Sequence, residues 1–112
     1  MLTTKILKKN RGEGKTRWLV QKALIKEDAG ISDIYYVGSS FGYKAFCDAY
    51  ESIEHRKCKI AIFSSKYCNK TPNNVYLTDE LTDEIANIDI AAMRSIGGTW
   101  YATMSGELFV EE

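Results

Sequence analysis

Apolar and polar positions along this chain switch repeatedly between a period near two and a period near 3.6, and the switches mark an order of elements. Residues 2–8, Leu-Thr-Thr-Lys-Ile-Leu-Lys, read as a β-strand. From Thr16 the apolar positions Trp18, Leu19, Ala23 and Leu24 recur at helical spacing to about Asp28, with Gly30 as a stop signal. Ile34-Tyr35-Tyr36-Val37 is a nearly all-apolar run between Asp33 and Gly38, the pattern of a strand covered on both faces. Ser39 or Ser40 can cap a second helix through about Glu54, with Phe41, Ala45, Phe46, Ala49, Tyr50 and Ile53 as its predicted apolar stripe. A third strand is expected over 58–63, then a polar loop over 64–74 carrying the sole proline, Pro72. Residues 75–80 predict a strand that ends in Asp79 and Glu80. Leu81, Ile85, Ile88 and Ala92 predict a third helix that stops before Gly97-Gly98, and residues 99–104 a fifth strand.

Strands that alternate with helices pair in parallel and carry the helices on the sheet faces. The expected fold is therefore α/β, a three-layer sandwich around a mainly parallel, roughly five-stranded sheet. A length of 112 residues bounds this to a single domain, 1–112, with one modest core. The 45% apolar content argues for a folded chain and against disorder. No apolar run approaches the ~20 residues that span a bilayer, and the N-terminus has no signal-peptide core. A soluble cytoplasmic protein with no membrane partner is the expectation.

Cys47, Cys58 and Cys68 match no metal or redox spacing, and with no export signal they are expected to be reduced thiols in packing or surface positions. His55 is the sole histidine, which gives a zinc site or Cys-His dyad little support. Net charge is zero but uneven. Lys5, Lys8, Lys9, Arg11, Lys15, Arg17, Lys22 and Lys26 load the N-terminal quarter; Asp79, Glu80, Asp83, Glu84, Asp89, Glu107, Glu111 and Glu112 load the C-terminal third. Two solvated faces that attract each other, or a basic anion site facing an acidic metal-binding edge, both fit this distribution. Nucleic acid remains an open partner, but a neutral domain does not imply autonomous DNA binding.

The stretch with the most chemistry is Asn10-Arg11-Gly12-Glu13-Gly14-Lys15-Thr16, between the first strand and the first helix. Gly14 lets the backbone approach an anion closely, and the first-turn N–H groups and helix dipole point at it. Lys15 can reach terminal phosphates, and the Thr16 hydroxyl can join a Mg²⁺ shell. The stretch resembles the P-loop, or Walker A motif, of nucleoside triphosphatases, with Lys9 where the first glycine of that pattern falls. The resemblance makes all seven residues, with Arg17 beside them, candidates for binding nucleotide.

Asp79 and Glu80 supply the complementary half. Ligands of open α/β sheets gather at the carboxyl ends of the strands, so this pair should emerge on the same edge as the phosphate turn. It resembles a Walker B motif in its Asp-Glu form, found in P-loop ATPases with an additional catalytic glutamate; Thr78 interrupts the apolar lead-in. The resemblance implies that Asp79 holds Mg²⁺ near Thr16, and that Glu80 orients and deprotonates the attacking water. Without it, Asp79 and Glu80 read as acids favoured at a helix N-terminus, a theme that Asp83 and Glu84 continue. In the same class the next strand ends in a polar residue that senses the terminal phosphate. Thr103 and Ser105 stand where that sensor, or the coupling motif of helicases and packaging motors, would fall.

The heptapeptide 10–16 looks most like the Walker A of phage terminase large subunits and related helicase-like ATPases. These often lack the first glycine and carry an arginine at the position of Arg11. The resemblance implies that Arg11 stabilises charge developing on the γ-phosphate. It also implies a stripped ATPase core of viral type, placed in the host cytoplasm and completed by another copy or a larger protein partner. The leading expectation is Mg²⁺-dependent hydrolysis of a nucleoside triphosphate, ATP first. A module that holds nucleotide without useful turnover, to regulate a larger ATPase, is the second. A nucleotide or nucleoside kinase and a non-nucleotide interaction protein are the remaining classes.

Overall fold

The computed structural model describes residues 1–10, 12, 14–106 and 109–110; Arg11, Glu13, Glu107, Leu108, Glu111 and Glu112 lie outside the described residues. The elements are β1 (Leu2–Lys9), α1 (Lys15–Asp28), β2 (Ile34–Tyr36), α2 (Ser40–Glu54), β3 (Ala61–Ile62), β4 (Val75–Thr78), α3 (Leu81–Glu84), a 3₁₀ turn (Ile85–Asn87), α4 (Ile90–Ile96), β5 (Gly98–Ser105) and β6 (Phe109–Val110). They build one sheet in the order β3-β2-β4-β5-β1-β6. The first five strands are parallel, and β6 runs antiparallel along β1. The expected parallel α/β fold is present, with β6 as an added edge. The feature that matters most for function is that β5 lies between β1 and β4.

Alternation along the central strands divides the core in two. Leu77 and Tyr101 face α1 and α2, where they meet Leu19, Val20, Ala23, Phe46 and Tyr50. Tyr76, Trp100 and Ala102 face the other way, toward Leu81 and Met93. Helices thus cover both faces, consistent with three layers. Three tyrosines packed in these cores find a partner for the hydroxyl, as an amphipathic ring requires. Tyr50 donates to Glu27 Oε1 at 2.7 Å, Tyr43 to the Ile60 carbonyl at 2.7 Å and Tyr76 to the Gly97 carbonyl at 2.8 Å.

Three elements depart from the expectation. Helix α2 is rotated about its axis, so that Phe41 is 85% exposed and Tyr43 with Cys47 joins Phe46 and Tyr50 against the core. The third strand shortens to Ala61–Ile62 because α2 side chains take neighbouring backbone groups. The Cys58 N–H donates to Glu51 Oε2 at 3.1 Å and the Ile60 carbonyl accepts from Tyr43. The third helix breaks in two. Ile88 is extended, Asp89 caps a new helix by accepting from the Ala92 N–H at 3.1 Å, and Ile85 of the predicted stripe is 59% exposed.

Candidate functional site

Gly14 ends the turn after β1 in a left-handed conformation (φ 83°, ψ 22°) and serves as the N-cap of α1. A glycine adopts that geometry without a Cβ penalty, and Gly12 has the same positive φ. No side chain among the described residues caps α1, so its first-turn N–H groups are left for an anion. Lys15 follows at once and is only 5% exposed. Its ammonium donates to the Asn10 carbonyl at 3.3 Å and pairs with Glu80 Oε1 at 3.2 Å. Thr16, one residue on, donates its hydroxyl to Asp79 Oδ2 at 2.7 Å.

The acidic half is set by β4 and β5. Strand β4 stops at Thr78, whose buried hydroxyl donates to the Val37 carbonyl at 2.8 Å and accepts from the Trp100 indole at 3.0 Å. The polar interruption in the lead-in to Asp79 therefore ties the end of β4 to the residue after β2 and to the Trp100 indole of β5. Glu80 then turns into the left-handed region (φ 54°, ψ 63°), where a non-glycine residue costs of order 1–3 kcal/mol. Thr103, fully buried on β5, holds that turn: its hydroxyl accepts from the Glu80 N–H at 2.9 Å and donates to Asp79 Oδ1. Ser105 donates to Glu80 Oε2 at 2.9 Å. Both carboxylates are thus gripped from the strand between them and the phosphate turn.

The structure therefore brings Lys15, Thr16, Asp79, Glu80, Thr103 and Ser105 together at the carboxyl edge of the sheet. A cleft of about 420 Å³ opens there, lined by Gly12, Gly14, Lys15, Thr16 and Glu80. Asn10 contributes its backbone carbonyl at the rim. Arg17 is exposed on α1 and does not line the cleft. Arg11 and Glu13 lie outside the described residues.

Among the described residues there is no group of three or more His, Cys, Asp or Glu side chains that could hold a metal. The donors present, one hydroxyl and one carboxylate in contact, suit Mg²⁺ that arrives with phosphate oxygens and keeps several waters. They do not suit an all-protein metal cage. Cys47, Cys58 and Cys68 are free thiols, and burial pushes the Cys58 thiol up to about 12.

Two residues of this region escaped the sequence reading. Glu84 looked like one more helix-terminal acid but is 6% exposed, and Tyr36 looked like strand core but places its hydroxyl between Glu84 and the Asp79 backbone. No local pattern signals Glu84, because its approach to Gly38 and Gly42 exists only in three dimensions. No family model, curated protein or solved structure matches the chain.

Proposed function

We propose that the chain binds a nucleoside triphosphate, ATP first, with Mg²⁺ and hydrolyses it. One observation carries this reading: Lys15 and Thr16, the first two residues of α1, contact Glu80 and Asp79 across an intervening strand at 3.2 and 2.7 Å. An uncapped helix start with positive-φ glycines suits a polyphosphate, and a hydroxyl beside a carboxylate suits the divalent ion that accompanies it. In this reading Lys15 and the turn amides hold the phosphates, while Thr16 and Asp79 hold Mg²⁺, which when bound neutralises phosphate charge. Glu80 aligns a water and takes its proton as the water oxygen bonds to the γ-phosphorus and the bond to the β-phosphate oxygen breaks. Ser105 keeps Glu80 aimed, and Arg11 retains its expected role as a cation for the developing charge.

In this reading the lining residues Gly12, Gly14, Lys15, Thr16 and Glu80 serve phosphate, metal and water, so the reading includes a second copy or a larger protein that contacts the base and ribose. No helix among the described residues is long and apolar enough to cross a membrane.

The test is titration with a fluorescent non-hydrolysable ATP analogue and Mg²⁺, followed by a phosphate-release assay. Saturable Mg²⁺-dependent binding is expected, lost in K15M. Glu80→Gln is expected to retain binding and lose turnover by roughly 10²–10⁴-fold, the range of a positioned general base. Binding without turnover in the wild type would leave the holding module as the function. No binding would remove the nucleotide reading.

A further inference from the structure

Glu84 is a buried charge for which the proposed reaction has no use. Its Oε2 accepts from the Ser39 N–H at 2.8 Å and the Tyr36 hydroxyl at 3.1 Å, and its Oε1 accepts from the Ser39 hydroxyl at 2.8 Å. The turn from β2 into α2 is cut to admit this carboxylate. A Cβ on Gly42 would stand 2.4 Å from Oε2, and one on Gly38 2.0 Å. The start of α2 thereby gains an anion at its positive end, and α3 is fastened to α2.

The Tyr36 hydroxyl has one proton, which goes to Glu84, and its lone pairs face the Asp79 N–H at 3.4 Å. Burial pushes the Tyr36 phenol well above its ordinary value, with the nearby Glu84 charge adding to the rise. Asp79 is thus held at two places, its backbone by Tyr36 and its carboxylate by Thr16 and Thr103.

We propose that Tyr36 and Glu84 are positioning residues, a buried chain from Ser39 through Glu84 and Tyr36 to the Asp79 amide that aims the Asp79 carboxylate at the metal position. The inference rests on the nucleotide reading above. Partners behind a metal ligand commonly set metal affinity or activity by roughly 10- to 100-fold when removed. A purely structural fastening of α3 would lower stability and leave the metal-linked part of binding alone.

The discriminating quantity is the ratio of the analogue's Kd in EDTA to its Kd in Mg²⁺. Tyr36→Phe keeps the ring and is expected to shrink that ratio about tenfold with the EDTA value unchanged, because Lys15 and the phosphate turn are untouched. Glu84→Gln, which keeps size and one acceptor oxygen, is expected to fall between Tyr36→Phe and the wild type. A ratio in Tyr36→Phe equal to that of the wild type, or an equal loss in both conditions, overturns the inference while the nucleotide reading stands. A wild type that binds no analogue fails the nucleotide reading instead. In that case the ¹H–¹⁵N spectrum of the ligand-free protein decides whether the chain exists. The Asp79 amide signal is expected to move in Tyr36→Phe while those of Leu19 and Val20 stay, and an unmoved Asp79 signal overturns it.

Discussion

The Thr103 hydroxyl serves two residues, accepting from the Glu80 N–H and donating to Asp79 Oδ1. It is fully buried, so its removal strands an amide and a carboxylate oxygen together. Thr103→Val, nearly the same shape, is expected to cost about 1–3 kcal/mol in urea unfolding, the desolvation penalty of groups left unpaired. Thr103→Ser is expected to recover most of it. Ser105, exposed on the same strand, bonds to the Glu80 side chain, and Ser105→Ala is expected to change stability by less than about 0.5 kcal/mol. The two polar residues singled out on β5 thus differ in kind, one buried behind the acidic turn and one exposed against the Glu80 side chain. Their common strand made them visible; their burial did not.

At the level of elements, helix α2 tests propensity against packing. Gly42 stands in its first turn, where alanine is ordinarily better by about 1 kcal/mol. Here a Cβ would meet Glu84 Oε2 at 2.4 Å and the Tyr36 hydroxyl at 2.6 Å. Gly42→Ala is therefore expected to destabilise the fold, by roughly 1–3 kcal/mol as for an overpacked core site, and a urea melt reads the sign directly. Combined with Glu84→Ala, which clears the carboxylate, it is expected to cost less than the sum of the single changes. This packing also marks the limit of what sequence pattern conveys. Strand order of appearance, the two halves of the cleft and their common edge were legible, because local periodicity and the parallel-sheet rule determine them. The rotation of α2 was not: an apolar set that includes Phe41, Tyr43, Ala45, Phe46 and Cys47 fits more than one face, and tertiary contacts chose. The break at Ile88 was hidden in the same way, since Asp89 caps a helix only if the chain has already stopped. The left-handed turn at Glu80 has no sequence signature at all, because it is imposed by Thr103 from β5.

The whole molecule carries a pH dependence on the alkaline side. Burial holds the Cys58 thiol up to about 12 from 9.0, and burial with the neighbouring Cys47 holds the Tyr43 phenol up to about 12 from 10.0. Tyr36 and Tyr50 are raised as well, by burial first and by the Glu84 and Glu27 carboxylates respectively. The folded chain keeps protons that the unfolded chain releases, so their contribution is complete below about pH 9 and declines as pH climbs toward about 12. Urea midpoints are expected to fall steadily from pH 9 to 11, and Cys58→Ser with Tyr43→Phe is expected to flatten that slope.

With β5 inserted between β1 and β4, the strand that leads into the phosphate turn and the strand that leads into the acidic pair stand two strand spacings apart, roughly 10 Å, and only the side chains of Lys15 and Thr16 close the interval to Glu80 and Asp79. Backbone ladders on either side make that gap stiff. A guest that bridged both rims would have to bring an anionic group to Lys15 and a cation to the carboxylates, so a single small anion can engage one side only, whereas linked anionic groups that carry a divalent ion can reach both. The middle strand would then be clamped from each flank. Slower amide exchange at Tyr101 and Ala102, on addition of a polyphosphate with Mg²⁺ but not of sulfate with Mg²⁺, is the signature expected of such a gauge.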